Sequence, residues 1–191
     1  MFFQKAALRP VPTWARVDEL AIERLEHALG EGDEALQQAL DEGYRDMDRR
    51  QPDLAEWLAR EVAEGPDQLA QSVGYFLTVT VYLAFVEAFP TRLSVVDADA
   101  LQLALDTLEL DEELRANDPV QELQSDDIVA MAQPSVLAYV QHHLNEALQQ
   151  ADDEPDFDAF EGIYRAVLVQ VISLSHAVRA PSGLRHPVML A

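Results

Sequence analysis

Gln71, Tyr75, Thr78 and Tyr82 are the polar residues of this sequence with the most regular spacing. They follow one another at steps of four, three and four, which on a helix turning about 100° per residue places them within roughly a 60° sector. An amide, two phenols and a hydroxyl on one stripe can line a ligand pocket or receive a partner's helix. The same stripe equally suits the less buried edge of a core helix. Glu87 falls on about the opposite side with Leu69, Val73, Phe76, Thr80 and Leu83, the face expected to be buried deepest. A carboxylate there needs a cation or a raised pKa, and Arg165 and Arg92 are the candidate partners.

A second polar group, Gln170, Ser173, Ser175 and His176, interrupts an apolar segment. Buried polar groups need partners, and His176 reads as satisfied core polarity because no motif places a nucleophile beside it. If Glu87, Gln170 and His176 instead met the tyrosine stripe around an interior pocket, the chain would suit small-molecule or metal-dependent chemistry. His142 lies opposite the Leu137, Leu144 and Leu148 stripe, whereas His143 shares a flank with Tyr139 and Glu146. His143 and Glu146 can begin a zinc or iron site, but a third ligand must come from elsewhere, and a hydrogen-bonded surface histidine explains them as well. No Glu-x-x-His, His-Glu-x-x-His, Gly-x-Ser-x-Gly, Walker or Gly-x-Gly-x-x-Gly motif occurs, and there is no cysteine. No catalytic residue, metal or cofactor is therefore assigned.

These side chains must be held by helices. Apolar residues recur with helical period along the whole chain, and glycine and proline cluster at a few connections. Thr13 is the expected N-cap of a first helix carrying Trp14, Val17, Ala21, Leu25 and Ala28; Asp33 caps a second; Pro52-Asp53 opens a third that Gly65-Pro66 ends. Further helices are expected over 67–89, 97–110, 134–150 and 156–178. The β-branched runs within 76–83 and 166–175 also suit strands, but neither has a turn nearby, so length favours helix. A short Glu-x-Leu…Gly pattern ends at Gly32, Gly43 and Gly65 and reads as coincident helix endings, with a break of the second helix at Gly43. The expected fold is an all-α single domain, 1–191, of about seven or eight helices around two apolar central helices, 67–89 and 156–178. Irregular arms are expected at 1–12 and 180–191.

Net charge is −22, from 35 acidic and 13 basic residues. Residues 1–16 and 162–191 hold three basic residues each and no acid, so the middle, 17–161, carries all 35 acids against the remaining seven arginines. Such a field repels nucleic-acid phosphates and attracts basic proteins in a salt-dependent way, although an acidic surface also simply keeps a protein soluble. The longest uncharged stretch, 68–86, contains Gln71, Ser72, Thr78 and Thr80 and suits a buried bundle helix better than a membrane span. Met1-Phe2-Phe3-Gln4-Lys5 lacks the apolar run of a secretory leader, which points to the cytoplasm. The expected function is a non-enzymatic interaction or regulatory protein that binds a basic partner as an inhibitor, neutraliser or adaptor. The competing expectation is the helical enzyme with its pocket around Glu87 and His176; a third is a homo-oligomer joined through the tail or the 71–82 stripe.

Overall fold

The computed structural model describes residues 11–30, 32–63, 67–116, 129, 132–151 and 155–182. Within them lie α1 (Glu19–Leu29), α2 (Asp33–Arg50), α3 (Pro52–Ala63), α4 (Gln68–Ala88), α5 (Ala98–Ala116), α6 (Pro134–Gln150) and α7 (Phe157–Ala177). The fold is an all-α helical bundle with no strand among the described residues; a lone antiparallel bridge joins Leu93 to Val178. The β-branched runs lie inside α4 and α7. Most of the two expected arms, and the tail residues Val188, Met189 and Leu190, lie outside the described residues.

Capping explains most starts. Asp18, Asp67, Asp97 and Asp156 each accept a backbone N–H from the first turn of α1, α4, α5 and α7. Pro134 opens α6, where a missing N–H costs nothing. The expected cap at Thr13 is a correction: residues 13–15 form one 3-10 turn, the chain is extended at Arg16, and α1 begins only at Glu19. The cause is distant. The Gln133 side-chain oxygen accepts the Val17 N–H at 2.9 Å and its amide donates to the Ala15 carbonyl at 2.6 Å, withdrawing both groups from any helical ladder.

The expected break at Gly43 is also corrected, because α2 runs through it. Gly43 is there for proximity: a β-carbon would lie 2.8 Å from Val79 Cγ1 of α4. Gly74 does the same on α4, where a β-carbon would stand 2.6 Å from Ile163 Cδ1 of α7. Backbones approach closely at both places, at the helix-propensity cost that glycine carries.

α4 and α7 form a parallel central pair. Asp67 accepts the Asp156 N–H where the two helices begin, the Gln170 amide donates to the Thr78 carbonyl at 2.7 Å midway, and Ser94 N–H bonds Ala177 O beyond the end of α4. By length and composition α4 could cross a bilayer, yet it is surrounded by α1, α2, α3, α6 and α7. Its threonine hydroxyls are returned to its own backbone, Thr78 to Tyr75 O and Thr80 to Phe76 O. Buried apolar side chains of α1 through α7 form one contiguous cluster. A second buried glutamine, Gln51, accepts the Val96 N–H at 2.7 Å and donates to Ser94 O at 2.9 Å, fixing the link between α4 and α5.

Candidate functional site

Gln71, Tyr75 and Thr78 meet at a cavity of about 340 Å³ between α2, α3 and α4, with Tyr44, Met47, Leu58 and Val62 among its walls. Tyr75 donates to Asp41 at 3.3 Å, and its ring lies 5.8 Å from that of Tyr44, tilted by 43°. Gln71 reaches the Ala63 carbonyl at 3.5 Å. Tyr82, the fourth member of the stripe, is fully buried and turned to Asp46, to which it donates at 2.7 Å. The stripe is therefore split, with three members at the cavity and one locking α4 to α2.

Electrostatics keep these phenols neutral. Burial, then the Asp41 carboxylate, pushes the Tyr75 hydroxyl up, and burial followed by Asp46 pushes Tyr82 further. Burial alone would raise Asp46, but hydrogen bonds from Tyr82, Arg49 and Arg50 hold it below the usual carboxylate value. Among the described residues the cavity wall holds no carboxylate, histidine or cation. Such a lining can accept an apolar group and offer hydrogen bonds at its rim.

Glu87 does not lie on the deepest face. Its side chain is 43% exposed and pairs with Arg24 of α1, not with Arg165 or Arg92. The helical wheel gives a direction, but α1 supplies the cation there and the Arg24–Glu87 pair stays open to solvent. Arg165 engages Glu112 of α5 through Nε at 3.0 Å and Nη2 at 3.3 Å. Arg92 stacks on Phe89 and donates to the Arg179 carbonyl. His176 is half-buried and lines a different cleft, about 290 Å³, between α5 and the end of α7. Glu87 instead lines the cleft between α1, α2 and α4. The two residues expected to share an interior pocket thus face different clefts.

Gln170 is fully buried; its amide reaches α4, while its oxygen and the Ser173 hydroxyl have no hydrogen-bond partner among the described residues. Ser175 is satisfied by Val171 O and Gln133. His143 sits edge-on to both Phe76 and Tyr139 and, like His142, approaches Glu146 at 3.5 Å. Burial, with His142 adding to it, holds the His143 pKa below its ordinary value. Among the described residues no group of three or more histidines or carboxylates is arranged to hold a metal ion.

Asp41 is absent from the sequence-based candidates; its spacing from Tyr44 is its only visible signal. Tyr44 is likewise absent from them. So are Gln51 and Gln133, both marked by an immediately following proline. The chain matches no protein-family model, and neither curated proteins nor solved structures show significant similarity to it.

Proposed function

We propose that this is a cytoplasmic, non-enzymatic interaction or regulatory protein whose acidic helical surface binds a basic protein partner, in the manner of an inhibitor, neutraliser or adaptor. The observation that carries the reading is the outward placement of the charge: none of the described carboxylate side chains is buried. Glu19, Glu23 and Glu26 on α1, Asp33, Glu34 and Asp48 on α2, and Asp99, Asp106 and Glu109 on α5 are all exposed. Arginines engage Asp46, Glu87 and Glu112, leaving a large acidic excess over 17–161. At physiological salt such a field extends about 8 Å and accelerates encounter with a positively charged surface while rejecting acidic ones.

The test is capture on the immobilised chain at low salt, followed by affinity measurement with the recovered protein. A basic partner whose affinity falls at least tenfold between about 50 and 200 mM salt, and falls again when Glu19, Glu23 and Glu26 become glutamine, supports the reading. Affinity indifferent to salt and to these substitutions, or a partner without basic character, contradicts it.

A further inference from the structure

Gln51 and Gln133 are not merely similar. Each precedes a proline that opens a helix, with φ and ψ of −136° and 56° at Gln51 and −131° and 58° at Gln133. Each backbone N–H bonds the carbonyl four residues back at 2.7 Å, to Met47 and Val129. Each side chain then grips the entry segment of another helix in the same way. Gln133 takes the Val17 N–H and the Ala15 carbonyl; Gln51 takes the Val96 N–H and the Ser94 carbonyl. Both gripped segments start with Pro-Thr, at Pro12 and Pro90, and end with a valine followed by a capping aspartate, Asp18 or Asp97, that accepts the N–H three residues on at 2.8 Å.

The correspondence continues through three helix pairs. Buried Ile22, Leu25 and Leu29 of α1 match buried Leu101, Ala104 and Leu108 of α5. Buried Leu54, Ala55, Trp57 and Leu58 of α3 match Val136, Leu137, Tyr139 and Val140 of α6. The central helices both follow Pro-Asp, and counted from those aspartates the buried run Leu77 to Tyr82 falls on the buried run Ala166 to Val171 without a gap. Among these six helices packing is reciprocal as well: α1 lies on α4 and α6, α5 on α7 and α3, while α3 crosses to α7 and α6 to α4. Within each pair the buried positions keep one offset, from Ile22 to Leu101, from Leu54 to Val136 and from Leu77 to Ala166, as one arrangement used twice would give.

We propose that α1, α3 and α4 with their entry segments, and α5, α6 and α7 with theirs, are two copies of one helical arrangement, and that the α4–α7 seam with its two crossed glutamine clamps is a self-recognition surface whose fitting partner is a second copy of that arrangement. Glu87 and His176 then occupy one position in the two copies. Where the first copy carries the Arg24–Glu87 pair beside its cleft, the second has Leu103 and His176, so the copies have diverged at that cleft.

Two experiments on the full chain test this. A protease site placed at the exposed Pro90-Thr91 turn allows the folded protein to be cut between the copies. The halves are expected to remain together at the mass of the intact chain and, when mixed with isotopically labelled cut protein, to exchange into hybrid pairs. A permuted chain running 90–191 and then 1–89 keeps every residue and connects, through the natural ends, two segments already near each other, since the Trp14 indole donates to Val178 O at 3.1 Å. It is expected to melt within about 3 °C of the parent, the shift of roughly 1 kcal/mol for a chain of this size. Cut halves that part or lose helicity, or a permuted chain without the parent's helical signal and melting transition, overturn the proposal.

Discussion

Glu87 and His176 stand at matching positions on α4 and α7, counted from Asp67 and Asp156, and face different clefts. They share no contacting partner among the residues lining those clefts. Glu87→Ala and His176→Ala should therefore affect stability additively, within about 0.5 kcal/mol, in urea unfolding of the single and double variants. A coupling above about 1 kcal/mol would restore the shared pocket that their sequence positions suggested.

Gln133→Ala should cost about 2–4 kcal/mol, because it strands the buried Val17 N–H and Ala15 carbonyl at about 1–3 kcal/mol each. Gln51→Ala should cost a similar amount for the same reason at Val96 and Ser94. Chemical denaturation gives both values; a loss under about 0.5 kcal/mol at either position contradicts the clamp geometry.

Glycine substitutions should split by sign. Gly162 lies in α7 with open space where a β-carbon would stand, so Gly162→Ala should stabilise by about 0.5–1 kcal/mol through helix propensity. Gly43→Ala and Gly74→Ala gain the same propensity but drive a methyl into Val79 and Ile163, and should destabilise by about 1–3 kcal/mol. Thermal melting of the three variants distinguishes the cases.

Acidification should weaken the fold through His143. Its folded pKa lies below the ordinary histidine value of 6.5, so the unfolded chain takes up the proton first. Stability is fully present above 6.5 and is lost as pH falls through 6.5 toward the depressed folded value. His143→Gln should flatten that part of the stability profile between about pH 7 and 5. An NMR titration giving His143 a pKa above 6.5 contradicts the burial between Phe76 and Tyr139 that causes the shift.

Much of this fold was legible in the sequence, because aspartate caps, the Pro134 start and helical periodicity are local features that tertiary packing reinforces. What was hidden depended on distant residues. Thr13 has a good cap composition, but Gln133 competes for the backbone beside it from far along the chain. Gly43 looks like a stop until α4 is placed against it. For the candidate site, the 71–78 stripe was readable from spacing, whereas Asp41 enters only when α2 docks, and the burial expected of Glu87 failed because no wheel reveals that α1 brings Arg24. The doubled architecture was not legible because the copies share register and punctuation, Pro-Thr, Gln-Pro and Pro-Asp, with few identical residues between them.

Hydrogen exchange at the Val17 and Val96 amides tests the crossed arrangement most directly. Both amides should exchange only through global unfolding in the parent chain. Gln133→Ala should release Val17 while Val96 stays protected, and Gln51→Ala should do the reverse. Rapid exchange of either amide in the parent, or release of both by one substitution in a still-folded protein, would contradict the picture of two units each holding the other's entry segment.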